Sequence, residues 1–176
     1  MNSSMTPSST ATRADLFALL DNLGIQTTTS EHQAVFTVAE SDALERDRPG
    51  GHTKNLFFKD AKGQLVLVIA QAHTAIDLKS LHKLLGCARL SFGNAELLAT
   101  VLGVTPGSVT AFALINDRGR RLEVIVDKAL MAYDIINCHP LVNTATTAIA
   151  RDDLLAFIRA TGHQPRIVDL TAAPAL

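Results

Sequence analysis

The sequence predicts a single α+β domain, a mixed β-sheet with flanking helices, and three observations carry that prediction. Its 176 residues suit one domain with one core. Helical and strand periodicities alternate along it without the regular strand–helix repeat of a parallel α/β fold. Turn signals at Asp60-Ala61-Lys62-Gly63 and Asn116-Asp117-Arg118-Gly119 each separate two apolar runs of strand length.

Residues 1–11 read as a flexible polar tail, and 12–172 as the domain. Leu16, Leu19, Leu20 and Leu23 recur at helical spacing, so a helix is expected from Thr12, its cap, to Leu23, where Gly24 stops it. Ile25 to Glu31 is a Thr-rich strand. Thr37 and Glu40 have capping-box spacing, which places a short helix towards Arg46 ahead of the Pro49-Gly50-Gly51 loop. Thr53–Lys59 and Gln64–Ala70 form a hairpin. Asp77 caps a helix that buries Leu78, Leu81, Leu84 and Leu85 and ends at Gly86; Ala88–Phe92 is a short strand. Asn94 caps a helix carrying Leu97, Leu98, Val101 and Leu102 up to Gly103. Beyond the Val104–Ser108 loop, strands are expected at Ala111–Ile115, Leu122–Val126, Ile135–Cys138 and Thr144–Ile149. A helix with Leu154, Leu155, Phe157 and Ile158 runs to Gly162, and a last strand covers Arg166–Leu170.

Composition removes several function classes. Hydrophobic residues at 47% and charged residues at 19% give a folding core, and no apolar run approaches the ~20 residues that span a bilayer. The N-terminus has neither the basic start nor the apolar stretch of a secretory signal. Cys87 and Cys138 are too few for a disulfide framework, so a reducing cytoplasm is the expected location. A formal charge of −1 supplies no long-range pull on nucleic acid, so any RNA contact is local. Basic residues do cluster, at Lys54, Lys59 and Lys62, at Lys79, His82, Lys83 and Arg89, and at Arg118, Arg120 and Arg121. A solvated face is the ordinary reading of such groups.

Signatures of zinc hydrolases, nucleophile elbows, phosphate-binding loops and dinucleotide folds are absent, and no histidines and cysteines stand at metal-ligand spacing. Cys138 and His139 are neighbours on a strand and point to opposite faces, so they do not make a thiol–imidazole pair. Lys54 is the unusual residue: alternation puts it on one face with Leu56 and Phe58, and Asn55 and Phe57 on the other. It either snorkels from the strand's end or sits at a pocket mouth, facing a phosphate or a developing negative charge. His139 is either a structural histidine or a pocket hydrogen-bonder, and Asn143, Ala145 and Thr147 share a small, polar face. Ser108, after Gly107, is a turn residue or part of an anion-binding backbone loop.

Taken in order, His32–Val38, Gly51–Phe57, Leu90-Ser91-Phe92, Gly103–Thr110 with Phe112–Asp117, His139–Ile149 and Asp153-Leu154-Leu155 resemble the YbaK/ProX superfamily of aminoacyl-tRNA deacylases. These are relatives of the editing insertion domain of bacterial prolyl-tRNA synthetases, and the chain is most similar to the ProX branch. The resemblance implies hydrolysis of alanine misattached to proline tRNA, with the tRNA acceptor end as partner, prolyl-tRNA synthetase as a further one, and no metal, cofactor or covalent intermediate. A synthetase pocket shaped for proline cannot exclude the smaller alanine, so a second hydrolytic sieve is needed. Water attacks an activated ester, for which positioning and oxyanion stabilisation suffice.

Carried across, the resemblance makes Lys54 the anchor of the terminal adenosine's phosphate or ribose, with Asn55 beside it. His139 and Asn143 line the pocket, Gly107 and Ser108 approach the carbonyl, and Val38 and Phe58 form walls. The family's Gly-x-x-x-Pro loop is broken here, since Ala111 stands at the proline position. Without the ring that fixes φ, loop rigidity and the preference for alanine over serine are less constrained. Three rivals follow: a deacylase for Ser- or Cys-charged tRNA, a non-catalytic module binding tRNA or synthetase, and a small-molecule binder.

Overall fold

Eight strands form the sheet in the order β1-β7-β6-β2-β3-β5-β8, with β4 on β2. The structure, a computed structural model, describes residues 9–34, 37, 39, 40, 43 and 48–172. The strands are β1 Thr27–Glu31, β2 Gly51–Asp60, β3 Leu65–Gln71, β4 Leu90–Phe92, β5 Leu122–Asp127, β6 Ile135–Cys138, β7 Ala145–Ala150 and β8 Pro165–Val168. Helices wholly within the described residues are α1 Arg13–Asn22, α2 Leu81–Leu85, α3 Ala95–Leu102 and α4 Arg151–Ala160. Pairing is parallel for β2–β6, β3–β5 and β5–β8 and antiparallel elsewhere, so the sheet is mixed as expected.

Local chemistry explains most element ends. Thr12 and Asp15 close a full capping box on α1, and Asn94 Oδ1 accepts from Leu97 N at 2.8 Å to start α3. Gly103 ends α3 at φ 65°, a left-handed position where a Cβ is disfavoured. Ala11 N donates to Asn116 Oδ1 at 2.7 Å, which ties the chain ahead of α1 to the body of the domain.

Because β3 and β5 are covered on both faces, their residues are buried almost without break. One face carries Phe57, Leu67, Val124 and Ile136 against α1, α3 and α4 in the main core. The other carries Phe58, Val66, Val68 and Ile125 against α2 and Leu170 in a smaller cluster.

Two expectations need correction. Ala111–Asn116 is a 3-10 helix and not a strand. Its four residues Ala111–Leu114 are buried on every side, so the run has no solvent face to set a period of two, and Thr110 Oγ1 caps it through Phe112 N at 3.3 Å. The helix expected from Asp77 begins only at Leu81, and Leu78, expected to be buried in it, lies outside it and is exposed. Asp77 instead bonds Lys79 N and Ser80 Oγ, folding Asp77–Ser80 as a turn. The helix expected after Thr37 lies mostly outside the described residues; its Thr37 Oγ1 does accept from Glu40 N at 3.1 Å.

Candidate active site

A break in strand pairing marks the region around Lys54. β3 accompanies β2 along one edge from Thr53 to Lys59. Along the other edge β6 pairs only with Gly51 and His52, and β4 only with Phe58, Lys59 and Asp60. Lys54, Asn55 and Leu56 therefore have no strand partner along that edge among the described residues, and all three are half-buried. Thr53 Oγ1 donates to Asn137 O at 2.9 Å and Gly93 N to Phe57 O at 2.9 Å, which fixes the two ends of the break. At the β4 end the approach is close: a Cβ on Gly93 would collide with the Phe57 ring.

Lys54 is half-buried, and its amine donates to Thr74 O at 2.6 Å. Thr74 is itself held by Asp127, 1% exposed, whose Oδ2 accepts from Thr74 Oγ1 at 2.6 Å and Gln71 N at 3.0 Å. Asp127 Oδ1 accepts from Ala129 N at 3.0 Å. The ammonium carries three N–H donors, so one fixes its direction and the others remain for an anion or hydroxyl. Thr74 and Asp127 were not foreseen. The available signal was an acid directly after the mostly apolar Leu122–Val126 run, at the end of a strand buried but for Glu123.

Register extends Lys54's face across the neighbouring strands, since His52 lies opposite Asn137 and Asn137 opposite Ala148. His139 follows on the same side: its Nδ1 lies 3.1 Å from Ala145 O and its ring 6.5 Å from that of His32. His32 Nε2 lies 2.8 Å from Thr146 Oγ1. Asn137 Nδ2 donates to Pro49 O at 3.1 Å, tethering the chain that leads into β2. Lys54 and His139 thus share one face of the sheet.

Asn55 points to the opposite face, with Phe57. Its Oδ1 is buried and has no hydrogen-bond partner among the described residues. An unpaired buried acceptor costs roughly 1–3 kcal/mol, a cost relieved when a ligand donates to it. Gly107 and Ser108 form a 3-10 turn, Pro106–Ser108, with Gly107 exposed and Ser108 buried. Val104, Val109 and Ala111 around that turn pack into the main core, on the side to which Asn55 points. Ala111 is fully buried, and the Thr110 cap and the burial of Ala111–Leu114 hold the loop where the family has proline.

Asn143 is half-buried in the turn joining β6 to β7. In that turn Leu141 has φ 68°, a left-handed conformation that costs a non-glycine residue on the order of 1–3 kcal/mol. Phe58 shares the Lys54 face but is 3% exposed and stacked on Phe92, ring centroids 4.8 Å apart. Val38 lies outside the described residues. Cys138 is wholly buried, which pushes its thiol up to about 12, so it stays protonated and is no nucleophile. Among the described residues no three His, Cys, Asp or Glu side chains are grouped to hold a metal ion.

Comparison with known proteins shows the family and the fold. The family model for the aminoacyl-tRNA editing domain matches residues 32–157. The chain is 35% identical over 156 residues to the prolyl-tRNA editing protein ProX of Acetoanaerobium sticklandii, covering 88% of this chain and 95% of that protein. It is 37% identical over 158 residues to prolyl-tRNA synthetase associated domain-containing protein 1 of Danio rerio, covering 89% and 86%. Among solved structures, a candidate trans-editing enzyme for prolyl tRNA synthetase superposes with a TM-score of 0.67 at 21% identity, covering 92% of this chain and 99% of that one, a likeness of fold. The break in β2 pairing, the anchored lysine and the histidine turn all fall inside the matched span, and the chain belongs to the aminoacyl-tRNA editing domain family.

Proposed function

We propose that this protein hydrolyses the ester of mischarged tRNA in trans, in the cytoplasm, with alanine on proline tRNA as its substrate and prolyl-tRNA synthetase as the enzyme whose errors it removes. The observation that carries the reading is the pairing break at Lys54–Leu56, with a directed ammonium on one face and an unpaired acceptor on the other. Family membership supplies the reaction class, ester hydrolysis at an aminoacyl-tRNA end. The similarity to a prolyl-tRNA editing protein supports the choice of tRNA.

In this reading Lys54 and Asn55 act from opposite sides of the sheet. Lys54, held by Thr74, meets the phosphate or ribose of the terminal adenosine; it binds and does not attack. Asn55 Oδ1 accepts a hydrogen bond from the substrate's amino group or ribose hydroxyl. The Gly107–Ser108 turn offers backbone donors to the carbonyl as charge develops on it, and His139 and Asn143 close the amino-acid end. Val38 and Phe58 remain proposed walls, Phe58 acting through the packing beneath Lys54. Water is the nucleophile, as the family resemblance implies, and the buried Cys138 thiol takes no part.

Single-turnover hydrolysis of Ala-tRNA by wild type and Lys54→Ala tests this. Losing charge-assisted hydrogen bonds worth about 1.5–3 kcal/mol lowers the rate roughly 10–100-fold. Binding of Ala-tRNA by both proteins, with the ester intact in both, would show a binding module and defeat the enzymatic reading.

A further inference from the structure

We propose that Asn116 is a positioning residue for the Gly107–Ser108 turn, clamping both flanks of the loop that carries it. The inference rests on the editing reading above, in which that turn meets the ester carbonyl. Asn116 closes the 3-10 helix Ala111–Asn116, which leads directly out of the Gly103–Thr110 loop. Its Nδ2 reaches back 14 residues and donates at 3.0 Å to the carbonyl of Leu102, the last residue of α3, from which the loop departs. Its Oδ1 accepts from Ala11 N at 2.7 Å, on the segment ahead of α1. One partner is a carbonyl and the other an N–H, so the amide has a single satisfying orientation. Neither a carboxylate nor a hydrocarbon serves both.

Carbonyls in the last turn of a helix lack partners within it, so capping α3 accounts for the bond to Leu102 O. It does not account for the packing around that bond. Gly103 leaves α3 at φ 65°, and a Cβ there would collide with Thr10 and lie 2.9 Å from Asn116 Nδ2. The first step of the loop is therefore wedged between the clamp and the segment ahead of α1. Farther on, Val104, Ser108 and Thr110 are buried, while Thr105, Pro106 and Gly107 are exposed. Ser108 N donates to Thr105 O at 2.9 Å and folds the turn itself. Where that turn points is set by where the chain enters and leaves the loop, and Asn116 holds both places.

The clamp has a fixed base. Asp117, next in the chain and 3% exposed, accepts from Arg121 N at 3.1 Å and Leu122 N at 2.9 Å. Its Oδ2 also lies 2.8 Å from Nε2 of the buried His163. These contacts tie the end of the 3-10 helix to the start of β5 and to the chain leaving α4. Through Asn116 the position of the core is passed to an exposed turn. Misplacing a group aimed at a reacting carbonyl by about 1 Å slows a reaction by as much as ~10²-fold, so a partial loosening of this turn is read directly in the rate.

The test compares wild type with Asn116→Asp and Asn116→Ala. The Asp variant keeps an acceptor for Ala11 N and sets a carboxylate against Leu102 O, whereas the Ala variant removes both bonds. Three quantities are measured: the single-turnover rate on alanyl-charged proline tRNA at saturating protein, affinity for uncharged proline tRNA, and hydrogen exchange of the Ser108 amide. Saturating protein separates positioning from stability, because a smaller folded fraction leaves the rate constant of the bound, folded enzyme unchanged. Both variants should cleave about tenfold more slowly, bind uncharged tRNA within about twofold of wild type, and exchange Ser108 at least about tenfold faster. If Asn116→Ala does not fold, Asn116→Asp, which keeps one of the two bonds, decides. A wild-type rate in Asn116→Asp would reduce Asn116 to a helix cap and overturn the proposal, whatever the melting temperature. A slowed rate with Ser108 exchange unchanged would overturn it too, since the turn would not have moved. A wild type that leaves the alanyl ester intact refutes the editing reading and not the clamp, which faster Ser108 exchange in the variants then upholds and wild-type exchange overturns.

Discussion

Replacing Asp127 by Asn should lower stability by about 3 kcal/mol and slow hydrolysis about tenfold, through a residue that touches no substrate. Asp127 meets only donors: Gln71 N and Thr74 Oγ1 at Oδ2, and Ala129 N at Oδ1. The new NH2 finds no acceptor in either flip. Its cheaper orientation faces Ala129 N, at an exposed residue, and loses one hydrogen bond worth about 1 kcal/mol. The other two bonds change from charge-assisted to neutral, about 1 kcal/mol each. At roughly 2–4 °C per kcal/mol for a chain of this size, Tm falls about 6–12 °C. Thr74 O, the acceptor that directs Lys54, is then less firmly held, and misplacement of a binding group slows the reaction. Circular dichroism melting and single-turnover deacylation well below Tm measure the two effects. A Tm change under 2 °C together with a wild-type rate would refute the Asp127–Thr74–Lys54 chain. Thr74→Val removes one of the same bonds, so the double variant should lose about 1 kcal/mol less than the sum of the single losses.

Other consequences follow from single atoms. Asn55→Ala removes a buried carbonyl that bonds nothing among the described residues, so stability should not fall and should rise by up to about 1–3 kcal/mol while kcat/KM falls about tenfold; equal losses in a melt and in binding would contradict the assigned role. Cys138, with its thiol pushed up to about 12, should resist thiol reagents in the native protein at pH 8 and react after denaturation, while half-buried Cys87 reacts in both states. Because the folded value is raised, the stability contributed by the protonated Cys138 is complete below the unfolded value near 9 and is lost as pH rises towards 12. Denaturant melts from pH 8 to 11 should show that loss in wild type and a smaller one in Cys138→Ala.

How much was legible in the sequence depended on whether a residue's role was local. Caps, αL glycines and the β2–β3 and β6–β7 hairpins are short-range chemistry, and alternation correctly divided Lys54, Leu56 and Phe58 from Asn55 and Phe57. Ala111–Asn116 misled because a fully buried apolar run shows neither period. Thr74 and Asp127 reach Lys54 through contacts 20 and 53 residues apart, which no window along the chain contains. The pairing break at Lys54–Leu56 was equally invisible, since β6 and β4 come from distant segments. Lys54, His139, Asn143 and Ser108 stood out from their residue types, their roles came from resemblance, and the structure added the Thr74 and Asp127 contacts behind Lys54.

The most direct measurement is single-turnover deacylation of one panel: proline tRNA charged with alanine, proline, serine or cysteine, at equal enzyme. The account predicts that the alanyl ester is lost at least tenfold faster than the others, since a small sieve favours the small side chain. Rapid loss of the seryl or cysteinyl ester with the alanyl ester intact would contradict it.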